Sequence, residues 1–246
     1  MKSSIVETVK LPSLGKLDGI DPEVTIRSMT TFEEKLRLGS KGRFFKIISG
    51  IINRCITSPE NFNSYDLTLQ DFVYLFYQLR IVSYGSMYKV VTHCSECGSK
   101  FTDEVDLSKL EVNYLSDEFK NPFEITLPRS QDKVMIRLLR TREIDEIAKE
   151  SEILVKNNKD IEGDPSYLIS LARKIVSVNG KELPGAVLDK YVQDMEAIDS
   201  NYIEHKYDQV NFGLDITVKC ICPKCGERIE YLLPVGDNFF RPQFDD

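Results

Sequence analysis

Two Cys-x-x-Cys-Gly segments, Cys94-Ser-Glu-Cys97-Gly98 and Cys222-Pro-Lys-Cys225-Gly226, constrain this chain more than any other feature. The two-residue spacing lets both sulfurs of a segment turn to one side and bind a single ion. The glycine after the second cysteine supplies the positive φ that so tight a turn needs. Two such knuckles provide four thiolates, the closed tetrahedral set of a structural zinc site, with no position left for water. One structural Zn2+ held by Cys94, Cys97, Cys222 and Cys225 is therefore expected. The flanks repeat as well. Cys94 to Phe101 aligns with Cys222 to Ile229, and the register runs on to Leu107 against Val235 at a constant offset. Each copy reads as strand, knuckle, strand.

Other readings of the cysteines are weaker. A thioredoxin-type redox pair uses one C-x-x-C at a helix N-terminus, not two knuckles. Disulfides belong to oxidising compartments, whereas Met1 to Lys16 shows no secretory signal and no apolar run reaches membrane-spanning length. A cytosolic site of synthesis is expected. Cys220 is a possible substitute ligand, but it aligns with Thr92, outside the knuckle. His93 reads as a neighbour of the site, Cys55 as a small core residue and His205 as a surface residue.

About 120 residues separate the knuckles, far more than the tens usual in a zinc ribbon. The middle of the chain is then an insertion between ribbon halves. The expected fold is α+β: a mainly helical region over 1–86, a discontinuous zinc-ribbon-like β unit from 87–107 plus 214–246, and an inserted hairpin and helical region over 108–213. Residues 1–30 read as an extended, turn-rich leader with a short strand at Val24–Ile26. Thr31-Phe-Glu-Glu34 matches a capping box for a helix ending near Gly39. Phe44 to Ile56 has helical apolar spacing. Thr68 caps a further helix, with Asp71 in its first turn, that Tyr84-Gly85-Ser86 stops. Strands are expected at 87–92, 100–105, 123–127, 134–139, 214–221 and 227–233. Thr141 caps the helix that follows the 123–139 hairpin. After a polar loop at 156–165, helices are expected over 165–177, 184–195 and 197–210, with Val178–Lys181 as a turn.

Composition narrows function mainly by exclusion. A net charge of -7 and a pI near 5.1 give no global attraction to phosphate backbones. Lys35, Arg37, Lys41 and Arg43 read as a solvated helix end. Around the knuckles, Lys100, Lys219, Lys224 and Arg228 are offset by Glu96, Asp103, Glu104, Glu227 and Glu230, a poor phosphate track. No serine elbow, zincin helix, Walker loop or dinucleotide fingerprint occurs. Carboxylate pairs such as Glu33/Glu34 and Glu143/Asp145 read as solvated helix faces. The chain is therefore expected not to be an enzyme.

The run from Leu69 to Ser86, with Leu79-Arg-Ile-Val-Ser-Tyr-Gly85 at its end, leads into the first knuckle and Val105-Asp-Leu107. The second knuckle is followed by Leu233-Pro234 and Phe239-Phe-Arg-Pro242. From about residue 20 to the end this resembles the small baseplate hub and hub-assembly proteins of T4-type contractile-tailed bacteriophages. The resemblance implies a non-enzymatic part of the virion tail baseplate, permanent or transient, made in the host cytoplasm. Its partners would be other baseplate or tail proteins, with no nucleic acid, membrane or small-molecule substrate. Zinc is not implied by the resemblance and rests on the cysteines. The alternative is a zinc-ribbon nucleic-acid-binding or transcription regulatory protein. Phe239-Phe-Arg-Pro242 either docks into a partner, since aromatics and arginine are typical anchors, or packs on the protein itself.

Overall fold

The computed structural model describes residues 5–17, 19–39, 41–158, 161–235 and 239–241. Asp18 of the leader turns, Lys159 and Asp160 of the polar loop, and Pro242 of the closing motif lie outside them. The described residues form seven α-helices and five small antiparallel sheets, a mixed α and β architecture.

The leader is more ordered than expected. Val6–Lys10 (β1) pairs with Glu23–Arg27 (β2), and Ile56–Ser58 (β3) joins on the other side of β2. Only Val9 of β1 is buried, so the strand lacks the alternation that would reveal it. The helix Thr31–Gly39 (α1) ends where expected, but it starts one residue earlier, with its capping box shifted to Thr30. Thr30 Oγ1 accepts from the Phe32 amide at 3.2 Å, and Glu33 accepts from the Thr30 amide at 2.8 Å. Glu33 is only 3% exposed and also takes Arg27 at 3.0 Å. That leaves Glu34 to bond Arg37 and Tyr84.

Phe44–Cys55 (α2) packs with Leu69–Tyr84 (α3), the central helix of the main core. Phe72, Leu75, Phe76, Tyr77, Leu79 and Val82 of α3 are buried on several sides. Thr68 is its N-cap residue but makes no side-chain cap bond. Asp71 accepts instead from the Ser13 amide at 2.9 Å, tying the leader to α3. Gly85, at φ 86°, ends the helix. Arg80 is fully buried at this end; it donates to the carbonyls of Gly85 and Met87 and lies over the rings of Tyr84 and Tyr88.

The closing aromatics belong to this core. Phe239 is 1% and Phe240 5% exposed. Phe239 stacks on Phe76 with centroids 4.9 Å apart and meets Tyr77 and Tyr88 edge-on, while Arg37 lies over Phe240. The pair packs on its own chain, chiefly on α3 and, through Tyr88, on the strand that leads into the first knuckle, so neither ring is an exposed docking anchor. Arg37 is correspondingly not part of a solvated basic end.

The middle segment builds a second core. Phe123–Thr126 (β7) and Lys133–Ile136 (β8) form the expected hairpin after Val112–Asn113 (β6). Thr141–Asn157 (α4) and Ser166–Lys174 (α5) follow. The helix expected to reach 177 stops at Lys174, and Ile175–Val178 (β9) becomes a third strand on β8. Its β-branched residues fit a half-buried pleat better than a helix interior. Gly185–Gln193 (α6) and Ala197–Asp208 (α7) close this unit over Ile125, Val134, Ile136, Leu171 and Ile203. α4 starts after Arg140, whose amide Glu143 caps at 2.9 Å. Thr141, the expected cap, donates to the Tyr65 carbonyl instead. The carboxylates read as solvated are ties: Glu143 takes Arg137, and buried Asp145 takes the Lys46 amide and the Tyr65 hydroxyl. The strand expected over 214–221 is split. Gly213–Leu214 (β10) pairs with β6, and only Thr217–Ile221 (β11) continues towards the second knuckle.

Candidate metal centre

Met87–His93 (β4) and Lys100–Asp106 (β5) form the first cysteine hairpin; β11 and Arg228–Leu232 (β12) form the second. The two have the same register. His93 faces Lys100 as Ile221 faces Arg228, and Val90 faces Asp103 as Val218 faces Tyr231. The turns repeat too. The Cys94 amide donates to the Ser99 carbonyl at 2.9 Å and the Gly98 amide to the Cys94 carbonyl at 3.0 Å. In the second copy Cys222 bonds the Glu227 carbonyl at 2.8 Å, and Gly226 bonds Cys222 at 2.9 Å. Gly98 and Gly226 have φ of 65° and 75°, the left-handed conformation that selects glycine.

The hairpins bring all four knuckle cysteines together, with every Sγ within 4.8 Å of the others. Cys94 Sγ lies 3.6 Å from Cys225 Sγ, and Cys97 Sγ lies 3.8 Å from Cys222 Sγ. These two pairs exchange when each residue is replaced by its counterpart in the other hairpin, so the sulfurs surround a local pseudo-two-fold axis. The spacing is far above the roughly 2.05 Å of a disulfide. Zn–S bonds of about 2.3 Å in a tetrahedron place sulfurs about 3.8 Å apart. Cys94 and Cys222 are buried and Cys225 is exposed, so the cluster sits at the edge of the fold with its base in protein.

Its electrostatics favour a cation. The Ser99 hydroxyl, with the amides of Cys225 and Lys224, pulls the Cys222 thiol down to about 6. Ser99 likewise lowers Cys97, its Oγ lying 3.0 Å from that sulfur. The Glu227 amide favours the Cys225 thiolate, but the neighbouring thiols oppose it and hold it up at about 12. Four thiolates this close cannot all be charged unless a positive ion lies among them.

Ser99 has no signal in the sequence beyond its place after Gly98. The other candidates fall outside the cluster. Cys220 lies beside Asp103, and burial first, then that carboxylate, pushes its thiol up to about 11. His93 is exposed. Cys55 is fully buried, and burial raises its thiol to about 12. His205 is exposed on α7 and bonds Gln209.

Among known proteins, the sequence model of the family described as T4 bacteriophage base plate protein matches residues 3–241. No curated protein and no solved structure matches the chain. The family match takes in both knuckles, α3 and the buried aromatic pair, nearly the whole chain. The chain belongs to the T4 bacteriophage base plate protein family.

Proposed function

We propose that the chain is a structural or assembly component of a contractile phage tail baseplate, of the hub type, and that one Zn2+ bound by Cys94, Cys97, Cys222 and Cys225 fastens it together. The family membership supports the baseplate role and, with it, partners among the other tail proteins and a place in the virion tail. One observation carries the zinc: four sulfurs on two matched hairpins lie within 4.8 Å of one another, two of the pairs at 3.6 and 3.8 Å, near the roughly 3.8 Å of a tetrahedral zinc site. With four protein ligands no coordination position remains for a substrate, which fits a structural ion and a chain that is not an enzyme.

In this reading the hairpins are the halves of a discontinuous zinc-ribbon-like unit, 87–107 with 214–246. Residues 108–213 are its insertion and 1–86 a helical platform. The ion closes a very long loop and so stabilises largely by restricting the unfolded chain. Elemental analysis of the purified protein tests the metal, with one zinc per chain expected and none refuting it. Quantitative mass spectrometry of purified particles tests the role. A fixed ratio to a known tail protein marks a permanent component. Association only with unassembled tail proteins in infected cells marks an assembly factor. Association with neither refutes the baseplate role.

A further inference from the structure

We propose that α4, α5 and α6 form a docking surface for a basic amphipathic helix supplied by another baseplate protein. The source of that helix rests on the reading above; its chemistry does not. The three helices frame an open groove of about 480 Å³ lined by Leu154 of α4, Leu168 and Ile169 of α5, and Leu188 of α6. Leu154 is 40% and Leu168 37% exposed. Ile153 and Val155 flank Leu154 at 47% and 49%. Successive helical residues point about 100° apart, so Leu154 turns into the groove while Ile153 and Val155 stand outside its lining. A groove lined by part-exposed apolar side chains on a charged protein marks an interaction site, and a groove between helices suits a helix carrying an apolar stripe.

Charge selects the occupant. Residues 141–208 carry nine lysines and arginines against fifteen aspartates and glutamates, which accounts for six of the chain's seven net negative charges. Glu150 and Asp189 stand at the groove, and Arg173, the cation among its lining residues, is held by Glu146 at 3.2 Å and Glu150 at 3.0 Å. A second copy of this face would be repelled, whereas lysines or arginines flanking an apolar stripe would be attracted.

The test uses labelled helical peptides of about 18 residues with one leucine stripe and either lysine or glutamate flanks. Their binding to the full-length protein is measured by fluorescence anisotropy at physiological salt. The lysine-flanked peptide should bind at least about tenfold more tightly than its glutamate twin. Leu168→Asp, at an exposed position, should weaken it at least about tenfold with the melting temperature unchanged. Asp189→Lys should narrow the preference between the peptides. Equal binding of both peptides overturns the proposal. So does lysine-peptide binding that Leu168→Asp leaves intact, which would be unspecific charge attraction. Self-association of the wild type that Leu168→Asp abolishes overturns it in favour of a second copy. Quantifying the wild-type chain in tail particles tests the source separately: the expected peptide pattern with the chain absent from particles and tail proteins keeps the groove's chemistry and refutes the baseplate origin of its occupant.

Discussion

Asp103 and Tyr231 hold the same place in the two cysteine hairpins, and the Tyr231 hydroxyl donates to the Asp103 carboxylate at 2.7 Å. A residue that meets its own counterpart lies on the axis relating the copies. The same correspondence of residues exchanges the two close sulfur pairs, Cys94 with Cys225 and Cys97 with Cys222. The hairpins are thus clasped at two points, a thiol cluster at the knuckles and a hydrogen bond further down the strands. Level with that bond and beyond it their buried rows, Val90 and Val105 on one side and Val218 and Leu233 on the other, run into the main core. The hairpins are consequently anchored in the core around α3, while Cys94 and Cys222 form a separate small cluster with Ile229 above it.

Removing one ligand tests the upper clasp. Cys97→Ser or Cys225→Ser should each abolish stoichiometric zinc and lower the melting temperature by about 10 °C or more, equivalent to a few kcal/mol for a domain of this size. Elemental analysis and thermal melts read both effects. A serine variant that keeps its zinc and its melting temperature would remove the cluster from the metal role.

Tyr231→Phe tests the lower clasp. The bond to a carboxylate in a half-buried place stabilises by about 1–2 kcal/mol. Burial, then the hydrogen bond to Asp103, raises the Tyr231 phenol above its ordinary range. Its stabilising contribution is complete below about pH 10, where the unfolded tyrosine titrates, and declines above that. Urea midpoints at pH 8 and pH 11 should therefore differ less for the variant than for the wild type. Equal slopes would show that the bond contributes nothing.

Local chemistry made much of this legible in the sequence. The knuckle spacing named the four cysteines, and the constant offset between copies anticipated two hairpins in the same register. The helix limit at Gly85, with φ of 86°, was readable because φ is a property of one residue. What escaped was decided by distant partners. Glu33 rather than Glu34 caps α1 because Arg27, on another element, draws it in. Ile175–Val178 leaves its helix because β8 offers a ladder to complete. Ser99 and the Asp103–Tyr231 bond become visible only when the knuckles meet. The aromatic pair at the end left both readings open, since the same residue types suit an interface and a core.

Phe239→Ala should destabilise by about 3–5 kcal/mol, as expected for a fully buried ring, whereas Leu232→Ala, at a position 69% exposed, should stay within about 0.5 kcal/mol. Denaturant titrations of the two variants make the comparison. A Phe239→Ala protein of normal stability would move the ring from the core to an interface.

Glu33 gives the fold a defined sensitivity to acid. Burial alone would raise its carboxyl. The bond from Arg27, with those from the Thr30 hydroxyl at 2.6 Å and the Thr30 amide at 2.8 Å, outweighs burial and holds it at about 2. In the unfolded chain the same group titrates near 4.3. The native state therefore binds this proton less readily than the unfolded state. The resulting stabilisation, on the order of 3 kcal/mol, is complete above about pH 4.5 and is lost as the pH falls towards 2. Other groups, the cysteine cluster among them, also respond to acid, so the wild-type curve alone does not isolate Glu33. The difference between the wild type and Glu33→Gln does, because the shared contributions cancel. Urea unfolding should give a gap of about 2–3 kcal/mol at pH 7 that closes as the pH approaches 2. A gap that stays constant with pH would assign the effect to shape and hydrogen-bond geometry, and the charge on Glu33 would have no part in holding α1 to β2.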